Sequence, residues 1–292
     1  MKFYCLVSDE KKGHNQECVD YLRQACEQRG LEFVLLEATS FDYGQDKTTM
    51  IETPALLYRV ATTRRTVLLE AMLMQEGVAS LYIDSANLYR RMFPWSATER
   101  LSRADLPIIP TVLNVGKGQD EHLASYVEKL GGFPVILKGS GGSHGASVLR
   151  LDSMESLRSV LGYVASDKTT LFALRKFIHA ATHLRMVVIG NQVVDAIRYF
   201  PQPDDFRTNA VATPKVEPYA QTGENQQYFD LAAAAVKALG LEFGGVDLLV
   251  DEKGDAYIAE VNFPCNFARN QMNTGFDVAG AIVDHLLAKT QQ

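Results

Sequence analysis

Asp247, Glu260 and Asn262 sit on the stretch GGVDLLVDEKGDAYIAEVN, whose other residues read as a half-buried β-hairpin. Val246, Leu248, Tyr257, Ala259 and Val261 alternate as a sheet face should, and DEKG supplies the turn. Pairing Val250 with Asp255 sets Asp247 opposite Ile258, with Glu260 its diagonal neighbour and Asn262 two residues further along the same face. Two carboxylates that close repel unless a cation or a shared proton lies between them. An oxygen-only donor set that includes an amide favours a hard ion such as Mg²⁺. The alternative is an edge hairpin whose acids point outward and meet only water. Apolar residues on the other face, and the room that Gly244 and Gly245 leave for a ligand, favour the metal.

Lys138 ends the run FPVILK and is followed by GSGGS, which contains Gly142 and Ser143. Glycine amides approach phosphate oxygens without a Cβ in the way, and a lysine at the loop mouth adds a point charge. The spacing is neither GxxxxGK[ST] nor GxGxxG, and the strand-like ASVLRL follows rather than a helix. A flap over a triphosphate and a flexible hairpin with a surface lysine both remain open.

In HLRMVVIGNQVVDAIRY the turn is Gly190-Asn191. Pairing Ile189 with Gln192 places Arg185 opposite Ala196 and Arg198 opposite His183, so the arginines become diagonal neighbours on one face. A phosphate or carboxylate would bridge them; the plain alternative pairs each with a local acid, Asp195 being on the opposite face. Arg207 and Asn209, in FRTNA, offer a phosphate donor and an amide ligand, although loops favour such residues for turn chemistry. They fall in the proline-rich run from Pro201 to Pro218, long enough to be a binding loop or lid. In chain order, these are the parts that hold Mg²⁺ and a triphosphate and neutralise charge as a γ-phosphoryl group moves.

Positioning such parts requires several layers. The first segment alternates strand and helix: KFYCLVS, a helix from about His14 to Arg29, LEFVLLE, PALLYRV, a helix through RRTVLLEAMLMQEG, then SLYI. This predicts a small parallel sheet over residues 1–92, without a dinucleotide turn after its first strand. Residues 93–174 form a second lobe around FPVILK and the glycine loop. Residues 175–292 form a third, with both hairpins, the helix ENQQYFDLAAAAVKALG and a terminal helix from Phe276. At 292 residues, with 47% hydrophobic and 22% charged residues, the chain is an ordinary globular one rather than disordered. A net charge of −6 argues against general nucleic-acid binding. No apolar run spans a membrane, the start lacks signal-peptide features, and the four cysteines show no CxxC or zinc spacing. These features predict a cytoplasmic protein with reduced thiols.

The order and types of these residues resemble the ATP-grasp superfamily, and more narrowly the RimK/LysX type of carboxylate-amine ligase, over nearly the whole chain. The resemblance implies three lobes: a Rossmann-like parallel sheet plus two mostly antiparallel α+β lobes clamping ATP. It casts Asp247, Glu260 and Asn262 as ligands of two Mg²⁺ ions, with Mn²⁺ able to substitute, and gives Lys138 and the flap a phosphate role. Arg185 and Arg198 would meet an acyl phosphate and the tetrahedral oxyanion. The main chain of Lys176, Phe177 and Ile178 would hold the base, with His183 near the ribose. Arg59, at a strand end in the first domain, would be substrate-binding, while Arg269 and Asn270 would face the acceptor. Expected partners are a small-molecule, peptide or carrier-bound carboxylate, an amine such as an amino acid, and a second copy of the chain in a homo-oligomer. No nucleic acid or membrane is expected. Three positions depart from the family pattern. Pro94 stands where a lysine is usual, with Arg90 or Arg91 nearby; LRKFI puts Arg175 and Lys176 in place of Gln-Glu; His183 replaces an acid. The reaction implied is ATP-dependent amide formation. A non-catalytic nucleotide binder and a phosphotransferase are the alternatives.

Overall fold

The computed structural model describes residues 1–9, 12–45, 50–81, 95–116, 118–140, 147–167, 169–200, 205–207 and 215–291, without the side chains of 12–14. Strands β1 (Lys2–Val7), β2 (Glu32–Glu37), β3 (Ala55–Arg59) and β4 (Val78–Ser80) pair in parallel in the order β2-β1-β3-β4. Parallel strands need crossovers, which α1 (Lys12–Gln28) and α2 (Arg64–Leu73) provide. Thr63 starts α2 with a reciprocal cap: its hydroxyl accepts from the Thr66 N–H, and the Thr66 hydroxyl accepts from its own. Both sheet faces are covered, so β1 and β3 read as continuous apolar runs. Phe3, Cys5, Leu56 and Tyr58 turn to one core, and Tyr4, Leu6, Ala55 and Leu57 to another.

After α3 (Ser96–Arg103), a second sheet runs β5 (Thr111–Val112), β8 (Phe172–Lys176), β6 (Val135–Gly139), β7 (Val148–Leu151), all antiparallel. It carries α4 (Leu123–Lys129) and α5 (Met154–Val164), the latter capped by Ser153. β8 extends this sheet through Lys176. The third sheet is antiparallel, ordered β11 (Val216–Pro218), β10 (Gln192–Tyr199), β9 (Ala180–Ile189), β12 (Phe243–Asp251), β13 (Ala256–Asn262). Helix α6 (Gln226–Ala238) packs on it, and α7 (Ala268–Thr274) and α8 (Val278–Lys289) complete the chain. The sequence pattern assigned no element to the segment that forms α7. Although α3 precedes the central sheet, it packs with the third: Arg100 donates to the Ala238 carbonyl at 3.2 Å, and Leu101 enters that core.

The three sheets do not have three equal cores. One core joins the parallel sheet to the C-terminal sheet, with Tyr58 edge-on to Phe243 at 6.0 Å and Arg29, just past the end of α1, paired with Asp284 of α8 at 2.6 Å. The central sheet buries Val135, Leu137, Leu157 and Leu174 in a core of its own. All four cysteines are free and buried. Among the described residues no helix is long and apolar enough to cross a membrane.

Arg59, at the end of β3, is fully buried against Glu70 of α2 at 2.9 Å. Burial pushes the Glu70 carboxyl up to about 7, against the pull of the Arg59 charge. A carboxyl whose folded pKa exceeds its unfolded one binds more protons when folded, so its effect on stability improves as pH falls from about 7 towards 4.5. The gain is on the order of 3 kcal/mol across that window. Urea titrations between pH 7.5 and 5 are expected to show it in the wild type and not in Glu70→Gln. Equal slopes for the two proteins would refute the assignment.

Candidate functional site

Asp247 and Glu260 face each other directly across β12 and β13. Uninterrupted pairing had placed Ile258 opposite Asp247. The turn instead pairs Val250 with Ala256, which sets Ile258 opposite Leu248 on the buried face, and a β-bulge with Ala259 as the extra residue then brings Glu260 level with Asp247. Asn262, paired with Gly245, shares that face, and its amide donates to Asp247 Oδ2 at 3.1 Å. The three oxygen-bearing side chains therefore converge.

On the other side of β12, Arg185 is level with Asp247 and donates to Oδ2 at 2.6 Å. His183 Nε2 lies 3.2 Å from Oδ1, and the His183 ring stacks on Tyr199 at 4.9 Å. Asp247 is only 6% exposed. Burial raises its carboxyl, but the Arg185 charge and the His183 contact outweigh this and hold it below the ordinary carboxylate range. The Arg185 guanidinium is lowered by burial and raised further by Asp247, ending above its usual value. Lys138 reaches over from the central sheet, its Nζ 2.9 Å from Glu260 Oε2 and 5.9 Å from the Trp95 ring centre. The Glu260 side chain is 48% exposed, so this acid faces open space.

Gly245 does not leave room for a ligand, as the sequence suggested. A Cβ there would lie 2.6 Å from Cys265 Cβ and 2.9 Å from Arg185 Nε, and one at Gly244 would meet Val236 and Val261. Glycine lets β12 pass beneath Arg185 and Cys265. Gly245→Ala is expected to destabilise the protein by about 1–3 kcal/mol, since the rigid Cys265 Cβ must shift. An unchanged denaturation midpoint would contradict this close approach.

Several other candidate residues lie elsewhere than expected. A second bulge, at Val194, pairs Arg185 with Ile197 and Arg198 with Leu184. Arg198 therefore leaves the face of Arg185 and lies 3.6 Å from Glu217 and over the Phe200 ring, so no anion need bridge the two arginines. The same shift brings Asp195 onto the face of Arg185. Arg59 is sealed between Glu70 and the Phe263 ring rather than open to substrate. Asn270 is 1% exposed and donates to the Arg185 carbonyl, which turns it inward rather than towards an acceptor. Arg269 is partly exposed and lies over Tyr199. The Lys176 N–H already donates to the Pro110 carbonyl, Phe177 stacks edge-on with His179 and Phe206, and Ile178 is buried. Arg207 pairs with Asp205 at 2.8 Å. Gly142, Ser143, Asn209, Arg90, Arg91 and Pro94 lie outside the described residues.

Sequence reasoning passed over Ser8 and Asn15. Together with Val7, Glu37, Val60 and Ala61 they line a cavity of about 130 Å³ at the C-terminal ends of β1 to β3. The Ser8 hydroxyl is buried without a partner among the described residues. The cavity lies where the strand order reverses, the position at which open α/β sheets take ligands. The only signal was SDEKKGHNQ after β1, read merely as lacking a glycine fingerprint.

No group of three or more His, Cys, Asp or Glu side chains of metal-binding type occurs among the described residues. The donors here are two carboxylates and an amide. The Asn262 nitrogen donates to Asp247, so its amide oxygen is not the atom used in that bond, and Glu260 is open to solvent. This oxygen set fits an ion such as Mg²⁺ that keeps several waters.

A parallel sheet followed by two antiparallel sheets, with paired acids on the last and a lysine reaching them from the second, defines the ATP-grasp fold. The same fold is found in the ligase PsnB complexed with the precursor peptide PsnA2 and AMPPNP, with a TM-score of 0.74, 17% identity and coverage of 100% of this chain and 99% of that one. It is found again in D-alanine–D-alanine ligase from Bacillus anthracis, with a TM-score of 0.73, 16% identity and coverage of 100% and 97%. The RimK-like ATP-grasp domain matches residues 95–286, and the chain belongs to that family. A probable alpha-L-glutamate ligase of Haemophilus influenzae (strain ATCC 51907) is 28% identical over 236 residues, which is 80% of this chain and 75% of the relative. One from Mannheimia succiniciproducens is 30% identical over 197 residues, 67% of this chain and 63% of the relative.

Proposed function

We propose that the protein is an ADP-forming ligase that joins a carboxylate to an amine, by way of an acyl phosphate, using ATP and Mg²⁺. The observation that carries this reading is the direct opposition of Asp247 and Glu260, with Lys138 reaching Glu260 from the central sheet. Asp247, Glu260 and Asn262 would hold Mg²⁺, or Mn²⁺ in its place. The metal's chemistry there is neutralisation of phosphate charge during transfer. Lys138 exchanges Glu260 for phosphate oxygens when nucleotide enters. The acceptor carboxylate oxygen attacks the γ-phosphorus and ADP departs; the amine then attacks the acyl carbon, loses a proton and expels phosphate. No protein nucleophile is needed, so the chain's part is alignment and electrostatics. Arg185, fixed by Asp247, supplies positive charge near the reacting oxygens, and Arg269 lies over Tyr199 where an acceptor can meet it.

The cavity beside Ser8 and Asn15 supports a place for part of the substrate. Val60 and Ala61 line it, and the next residue, Thr62, donates to the Phe263 carbonyl at 3.1 Å, directly after the ligand Asn262. The names of the relatives favour glutamate as the amine donor to be tried first. The test is incubation with Mg²⁺-ATP and pools of carboxylates and amino acids, followed by assay of phosphate and of new amide masses. Phosphate together with an amide supports the ligase. A stable phosphorylated product without amide favours a phosphotransferase, and no ADP under any pool favours a nucleotide binder.

A further inference from the structure

We propose that Arg175 is a positioning residue: from the central sheet it holds the bulge that brings Glu260 level with Asp247. The inference rests on the reading of Glu260 as a metal ligand. Arg175, in β8, is 5% exposed. Its Nε donates to the Thr111 hydroxyl at 3.2 Å, and its Nη1 donates to the Ala259 carbonyl at 3.1 Å. Ala259 is the extra residue of the bulge in β13. A bulge interrupts the ladder and leaves a peptide group in need of another partner. Here that partner is a guanidinium from a different sheet.

The consequence is geometric. Without the bulge, the register that pairs Leu248 with Ile258 would set Ala259 opposite Asp247 and Glu260 opposite Val246, on the other face of the hairpin. The contact with Ala259 therefore bears on the residue next in the chain, the acid itself. The charge of Arg175 acts in the same direction: burial lowers its guanidinium to about 10, and Glu260 pulls it back up. Thr111 is tied in turn, its hydroxyl donating to the Ile109 carbonyl at 2.6 Å, so Arg175 reaches the bulge from a fixed base. Lys138 meets Glu260 from the same sheet. Arg175 thus sets where Glu260 stands, and Lys138 competes for its charge.

The test uses the full chain with AMPPNP and reads Mn²⁺ binding from the loss of the free-ion electron paramagnetic resonance signal, a measurement independent of turnover. Arg175→Met keeps the length of the side chain but removes its donors and charge, and is expected to weaken Mn²⁺ binding about tenfold, the scale for outer partners of metal ligands. Arg175→Lys is expected to recover most of that loss. In turnover assays the metal concentration for half-maximal rate rises more than kcat falls. Wild-type affinity in Arg175→Met overturns the inference, as does a loss that Arg175→Lys shares in full, which would mark a packing effect. Should Arg175→Met fail to fold, Thr111→Val takes its place: measurably weaker Mn²⁺ binding is expected, and no change overturns the inference. A wild-type protein that binds no Mn²⁺ removes the metal reading itself, an outcome distinct from the others.

Discussion

Glu260→Gln is expected to lower ligation about a thousandfold or more while leaving the protein folded. The substitution is isosteric, the side chain is half exposed, and its partner Lys138 is also partly open, so the ion pair contributes no more than about 1 kcal/mol to stability. Under the proposed function the charge matters far more to the reaction. Glu260 supplies one of two carboxylates opposed across β12 and β13, and removing charge aimed at the proposed phosphoryl transfer would affect rate on the scale of a lost transition-state contact. Circular dichroism and ADP release in parallel would check both halves. Full turnover in a folded variant would remove Glu260 from the metal site.

Asp247→Asn is expected to divide its effects differently, with activity lost and stability lost as well. Asp247 is buried and answers Arg185 at 2.6 Å, His183 at 3.2 Å and the Asn262 amide at 3.1 Å. A neutral amide leaves the Arg185 guanidinium buried without its counter-charge, at a cost of about 3–5 kcal/mol. Removing both members is gentler than removing one, so Asp247→Asn combined with Arg185→Met is expected to regain much of the stability and none of the activity. Urea midpoints of the wild type, the two single variants and the double variant would measure this. Additive losses would show that the pair does not act as a unit. The pH dependence follows from the depressed carboxyl of Asp247. Its contribution is present above the ordinary carboxylate pKa and lost as pH falls through the lower folded value, opposite in sign to that of Glu70.

The hairpins, their turns and the convergence of Asp247, Glu260 and Asn262 were legible because sheet faces alternate with period two and acids in an apolar run stand out. The faces of individual residues were less so. Both long hairpins contain one extra residue, Ala259 and Val194, and neither is a glycine or other turn-former, so neither bulge leaves a mark in composition. One uncounted residue moves every later side chain to the other face. That accounts for Arg198 being grouped with Arg185; in the acidic hairpin the turn also pairs Val250 with Ala256 rather than Asp255, and the two offsets together move Asp247 from Ile258 to Glu260. Arg59 and Asn270 were misjudged for another reason. Their partners, Glu70, Phe263 and the Arg185 carbonyl, come from other elements, and spacing along the chain does not encode packing. Arg175 appeared in the sequence only as a departure from a pattern; its role came into view with the Ala259 carbonyl 3.1 Å away.

The unequal division of the hydrophobic interior bears on how relatives could be recombined. Because the outer two sheets are welded through Tyr58, Phe243 and the Arg29 to Asp284 clasp, exchanging either one alone would cut through shared side-chain packing. The middle sheet has its own interior, so exchanging it would spare that packing, provided contacts such as those of Lys138 and Arg175 match the receiving hairpin.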